Sequence, residues 1–226
     1  MWWRRSGAAR GLLAIVCAAS VWQWNAPSAR AYANISGADL VVNCEILEVC
    51  DAFLAGVFDA YAALVSWHTV APSFCAPAAT TETLWPVLRP EFVASPAAPG
   101  IAGASLVIET LERLYPCASG VNAFTPPITR SGQEMVLRCQ DLIVCRAMVT
   151  AVLDTHRTLV DRATLPAVYC LPEAPDAAER GLEQHDEESY NLTTSVLTFM
   201  ASRPEQLVFT GGSVVLVALA ERYPCF

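Results

Sequence analysis

Nine cysteines and three histidines are the residues in this 226-residue chain with the most evident chemistry, so their spacing decides which chemistry is open. Cys17 stands alone near the N-terminus. The other eight form two sets, Cys44, Cys50, Cys75, Cys117 and Cys139, Cys145, Cys170, Cys225. No Cys-x-x-Cys pair occurs, so thiolate metal ligation lacks its usual spacing. An even number of cysteines in a duplicated pattern reads instead as a disulfide framework, which leaves no free low-pKa thiol for catalysis. His68, His156 and His185 have no ligand-like spacing. No Gly-x-Ser-x-Gly elbow marks a serine nucleophile. The chain is therefore expected to be no enzyme and to need no cofactor or metal.

The first three cysteines of each set are spaced by 6 and 25 residues both times. A shift of 95 superimposes residues 36–75 on 131–170 with 14 identities in 40, among them Ser36-Gly37 with Ser131-Gly132, Asp59 with Asp154 and Leu64-Val65 with Leu159-Val160. After 13 extra residues in the second copy, Tyr115-Pro116-Cys117 faces Tyr223-Pro224-Cys225. This is internal duplication. None of the histidines is shared: His156 aligns with Tyr61, His68 with Ala163, and His185 lies in the extra segment. Asp59 and Asp154 are shared and fall mid-helix. They read either as partner-contacting or helix-bridging carboxylates, or as solvated or backbone-capping acids.

The positioning elements follow from periodicity. Val42, Ile46, Val49, Phe53, Val57, Ala60 and Leu64 lie on one face of an α-helix, and Leu137, Val144, Met148, Val152 and Leu159 repeat it, with Asp141 interrupting once. Pro72 and Pro166 mark where each long helix has ended. A second helix is expected near Thr80 or Thr81, restricted by Pro86 and Pro90, and near Asn191 in copy two. Ser202-Arg203-Pro204-Glu205 fits a capping box. Closing helices are expected at Gly103–Tyr115 and Gly212–Tyr223. The fold class is all-α: two tandem small helical modules, each stapled by about two disulfides.

On one continuous helix, Cys44 and Cys50 would lie about 240° apart and about 9 Å along the axis, beyond the reach of a disulfide. The favoured pairing is then Cys50–Cys75 with Cys44–Cys117, and Cys145–Cys170 with Cys139–Cys225.

Residues 1–33 read as a secretory signal peptide: Arg4, Arg5 and Arg10, an apolar stretch Gly11–Trp22, and a small-x-small site at Ala31-Tyr32-Ala33. An uncleaved anchor is the alternative. Copy one spans 34–117, a linker 118–129, and copy two 130–226. Without Arg4, Arg5, Arg10 and Arg30, ten basic residues remain against 22 acidic ones, a net charge of −12 with no lysine. That charge disfavours nucleic acid and favours a basic protein partner. No later segment has about 18 uninterrupted apolar residues, so no membrane insertion is expected after signal cleavage. The expected location is periplasmic or secreted. The insertion 171–190 holds Glu183, Asp186, Glu187 and Glu188, which read as a partner-binding acidic loop or as a solvated linker.

Taken together, Cys-x5-Cys, Gly56-Val57-Phe58-Asp59, Phe74-Cys75-Ala76-Pro77, Leu84, Ser95-Pro96 and Tyr115-Pro116-Cys117 resemble the Rap/Tai family of immunity proteins associated with type VI secretion. Copy two repeats the pattern as Ala151-Val152-Leu153-Asp154, Tyr169-Cys170-Leu171-Pro172, Leu192, Arg203-Pro204 and Tyr223-Pro224-Cys225. The resemblance implies a small periplasmic helical protein that binds and blocks a peptidoglycan-cleaving amidase effector, with the tandem standing in for a homodimer. The chain departs from the family in being a tandem, in Ala151 and in the acidic insertion, and no inhibitory residue carries over. The alternative function is a periplasmic chaperone or structural interaction protein of the small helical acid-stress type.

Overall fold

The computed structural model describes residues 35–68, 71–118, 124–162, 164–171 and 182–225; residues 1–33, expected from sequence to be a signal peptide, and most of 171–181 lie outside the described residues. Copy one runs α1 (Gly37–Asn43), α2 (Leu47–His68), α3 (Thr81–Ala94), a 3-10 turn at Ala98–Gly100 and α4 (Gly103–Leu114). Copy two runs α5 (Gly132–Arg138), α6 (Leu142–Asp161), α7 (Leu182–Ser202), a 3-10 turn at Pro204–Val208 and α8 (Gly211–Arg222). Among the described residues the only extended pairings are three isolated bridges, so the all-α expectation holds.

The shared Ser-Gly pairs start each copy. Ser36 Oγ accepts the Asp39 amide and Asp39 accepts the Ser36 amide; Ser131 and Glu134 do the same. Each capping box satisfies two amides that a helix start leaves unpaired. The following glycine amides, Gly37 and Gly132, donate to the carbonyls of Ile101 (3.0 Å) and Phe209 (2.7 Å), tying the start of each copy to its last helix.

The expected continuous helix from Val42 is two helices. α1 stops at Asn43, the chain turns over 44–46, and α2 begins at Leu47. Asp141 does not interrupt a stripe in copy two: it is the N-cap of α6, accepting the amides of Ile143 (2.9 Å) and Val144 (3.4 Å). This break overturns the expected pairing of the cysteines. Cys44 pairs with Cys50 and Cys139 with Cys145, each with Cα atoms 4.4 Å apart, while Cys75–Cys117 and Cys170–Cys225 close the long loops. Two cysteines on either side of a tight turn are neighbours, whereas six residues along one helix would have separated them.

Two further expectations are corrected. α7 begins at Leu182, not near Asn191, and Ser202-Arg203-Pro204-Glu205 leads into the 3-10 turn without a side-chain cap. α3 starts behind Thr80 as expected. It keeps Pro86 and Pro90 on its exposed side and buries Leu84, Leu88 and Phe92, so each proline costs a backbone bond but no packing.

α2 and α6 run along each other at the centre. α8 crosses onto α2, and α4 crosses onto α6, so each closing helix packs on the other copy's long helix. Residues 49–61 of α2 are all buried, which explains why its apolar face has no polar back. Leu47–Trp67 is long and apolar enough to cross a membrane, yet 89% of its most apolar window is buried against protein. Side chains from both copies form one contiguous core. Phe124, from the segment between the copies, joins it by packing edge-on against Tyr61 (4.8 Å) and Phe74 (5.0 Å).

Candidate functional site

The chemistry-bearing residues shared by both copies converge on the seam between α2 and α6. Gly56 and Ala151 are equivalent in the repeat and face each other there. A Cβ on Gly56 would lie 2.8 Å from the Ala151 Cβ and 2.7 Å from the Met148 carbonyl oxygen. A position that meets its own equivalent lies on a two-fold axis, the isologous arrangement of symmetric dimers. The centre of the seam has room for one methyl group, so one copy carries glycine and the other alanine.

Asp59 and Asp154 follow the same reciprocity. Asp59 accepts the backbone amide of Arg130 at 3.3 Å, and the Gly212 amide faces the same carboxylate. Asp154 is faced by the backbone amide of Ile35, the residue equivalent to Arg130. Each shared aspartate in one copy therefore accepts backbone amide at the start of the other, so it is buried rather than solvated, and it both caps backbone and bridges the copies. Gly212 is needed for this approach, since a Cβ there would come within 2.6 Å of the Asp59 Cβ. Burial pushes the Asp59 carboxyl up to about 7, against the lowering effect of the Arg130 and Gly212 amides and the Arg130 charge, with a small raising effect from Glu134. Asp154 is raised well above the usual carboxylate range by burial, opposed by Arg157 and the Ile35 amide.

A second bridge is built on a residue type the copies do not share. Asp51 of α2 takes both oxygens to Arg130 Nη2 (2.7 and 2.9 Å), accepts Arg138 Nη1 (2.9 Å), and accepts the Thr81 hydroxyl (2.6 Å). Its equivalent in copy two is Arg146. On the other side, Arg162 reaches Glu109 (3.1 Å) and Glu112 (3.0 Å), and the Ser105 and Thr158 hydroxyls meet at 2.7 Å. All these pairs except Asp51–Thr81, which lies within copy one, join one copy to the other.

His156 is a core histidine. Its Nε2 accepts the Val168 amide at 2.9 Å, and its ring stacks on Tyr169 at 4.0 Å. The equivalent Tyr61 oxygen accepts the Ser73 amide at 2.7 Å, and Ser73 is the equivalent of Val168. Histidine and tyrosine thus do one structural task. Tyr169 is raised by burial and by the nearby Asp154 charge. His68 ends α2 and His185 lies in α7, with side chains outside the described residues; among the described residues no group of three or more His, Cys, Asp or Glu is arranged to hold a metal ion.

Glu183, Asp186, Glu187 and Glu188 fall in the first turns of α7, and their side chains lie outside the described residues. The eight cysteines stand as four structural disulfides, which suit an oxidising compartment.

What the sequence reading missed is the surface at the two Cys-x5-Cys corners. Val42 (65% exposed), Ile46 (56%) and Leu47 (41%) stand out from the Cys44–Cys50 turn, and Leu137 (64%), Leu142 (38%) and Ile143 (64%) from the Cys139–Cys145 turn. Assigning Val42, Ile46 and Leu137 to a buried stripe hid them. The signal that could have found them is Asp141, a capping residue type placed just before an apolar run.

A scan against protein-family profiles, a search of curated proteins and a search of solved structures each return no match to this chain.

Proposed function

We propose that this chain is a periplasmic, non-catalytic binding protein of the immunity type, which docks on a peptidoglycan amidase and blocks it. The observation that carries the reading is a division of labour. The residues shared by the copies hold the two halves together, whereas both disulfide-locked corners turn large apolar side chains to solvent. Exposed apolar groups grouped on a rigid support are what a protein-binding surface needs, because little ordering entropy is lost on docking. The resemblance to the Rap/Tai family supplies the partner class, and the strongly acidic mature charge favours a basic partner.

The test mixes the mature chain with purified peptidoglycan amidases and follows both hydrolysis and complex formation. A stoichiometric complex with loss of hydrolysis is the expected result; neither complex nor inhibition across the set rejects the reading. A second reading, an acid-responsive chaperone, is favoured by one observation, the Asp59 carboxyl that titrates near 7 at the seam. Suppression of client aggregation that switches on below that pH, with no stoichiometric partner, would select it.

A further inference from the structure

The two exposed corners have the same backbone and different charge. In copy one, Glu45 and Glu48 flank Val42, Ile46 and Leu47, both are exposed, and neither has an ion pair among the described residues. Residues 36–68, which form α1, the turn and α2, contain no arginine or lysine. Arg130 and Arg138, which reach α2 from copy two, are both taken up by Asp51. In copy two the positions of Glu45 and Glu48 are held by Gln140 and Ile143, and the Asp141 carboxylate is spent on capping α6. One corner therefore adds two exposed carboxylates to its apolar side chains; the other has an amide and an aliphatic side chain in their place.

We propose that the Cys44–Cys50 corner is the docking surface through which this chain engages its partner, and that the partner presents an apolar spot ringed by lysine or arginine. This rests on the binding-protein reading and adds which of the two corners binds and what it binds. The disulfide holds the end of α1 against the first turn of α2, with Cα atoms 4.4 Å apart, so Ile46 and Leu47 are displayed from a covalently closed ring and Val42 from the helical turn just before it. Such a surface loses little freedom on binding. The two carboxylates draw in a basic surface and set its orientation. Charge argues against the other occupants: a second copy carries the same strongly negative net charge, and an anionic lipid surface is repelled.

The probes are purified peptidoglycan amidases of high isoelectric point, and the protein is the full mature chain in three variants: V42S/I46S, E45Q/E48Q and L137S/I143S. All six side chains are exposed, and circular dichroism checks that each variant keeps its helices. On an amidase that the parent chain inhibits, V42S/I46S raises the inhibition constant about 30-fold or more, as loss of central apolar anchors does. E45Q/E48Q slows association about tenfold at low salt, and the difference disappears at high salt. L137S/I143S stays within about threefold of the parent, as peripheral contacts do. Unchanged inhibition by V42S/I46S overturns the proposal. So does concentration-dependent self-association of the parent chain that V42S/I46S abolishes, because the occupant is then a second copy. If no amidase is inhibited, the proposed function fails by itself and the corner is judged on binding alone. Salt-sensitive binding of a basic amidase that V42S/I46S removes then upholds the surface, and absence of any such binding rejects it.

Discussion

Copy one has Gly56, Tyr61 and Asp51 where copy two has Ala151, His156 and Arg146, and these three differences are of three kinds. Gly56 and Ala151 differ because they touch each other across the seam, where two methyl groups do not fit. Tyr61 and His156 differ in chemistry but not in task, since each accepts one backbone amide at an equivalent place. Asp51 and Arg146 differ in charge itself: Asp51 gathers Arg130, Arg138 and Thr81, and the equivalent position in copy two is a cation. The comparison teaches that a duplicated chain is free to diverge wherever a symmetric dimer would have been forced to place two identical residues. At the axis that freedom is used for packing, and at the corners it gives one copy Glu45 and Glu48 where the other has Gln140 and Ile143.

The largest effect expected comes from the disulfides that close long loops. Removing Cys170–Cys225, which spans 55 residues, is expected to cost about 4 kcal/mol, and removing Cys139–Cys145, which spans 6, about 2 kcal/mol, by loss of loop-closure constraint on the unfolded chain. Denaturant unfolding of the two double-serine variants measures the difference, and equal costs would break the comparison between long and short staples. Next is the axis. Gly56→Ala forces a Cβ against the Met148 carbonyl and the Ala151 methyl, at a cost of about 3 kcal/mol. Ala151→Gly, which only removes a methyl from a helix, should cost about 1 kcal/mol. The double variant G56A/A151G should recover part of the first loss, and a double variant no better than Gly56→Ala would show that the backbone contact dominates.

The pH dependence comes third. Asp59 has a folded pKa of about 7, above its ordinary value of 3.8, so between these limits the folded protein holds a proton that the unfolded chain has released. Its contribution therefore stabilises the fold as pH falls from about 7 towards 4, by up to about 1.4 kcal/mol per pH unit where the difference is one full proton. Unfolding free energies measured from pH 8 to 4 should rise less steeply towards acid in Asp59→Asn than in the parent; identical slopes would sink this account of the seam. The smallest effect is at the amide acceptors. Tyr61→Phe and His156→Phe each strand one backbone N–H, of Ser73 or Val168, and should cost about 1 kcal/mol each if the two residues do the same task. A large difference between the two costs would separate them.

The legible part of the fold is specific. The cysteine register and the Tyr-Pro-Cys ends announced the duplication, and the proline positions bounded the long helices within a few residues. α3 could be started from Thr80 because a capping residue and an apolar i, i+4 pattern coincide there. The break at 44–46 was not legible in copy one, because Val42 and Ile46 keep the helical spacing straight through it. Only Asp141 in copy two betrayed it, and a lone acid in an apolar stripe reads as an interruption until its role as a cap is known. The exposed corners were lost with the break, since residues placed in one continuous stripe are placed in the core. Asp59 was visible as a shared residue, but its partner, an amide 71 residues away in the other copy, was not.

By itself the sequence determined what local physics and covalent spacing determine: helices rather than strands, two copies rather than one, an acidic chain, and cysteines paired within a framework. Which cysteines pair, which apolar residues face water, and which copy closes on which core were decided by the tertiary structure. The reason is that each of these depends on a contact between distant segments. α8 finds α2 and α4 finds α6 because neither long helix can bury its apolar surface within its own copy, and no pattern along one stretch of chain records where the covering helix comes from.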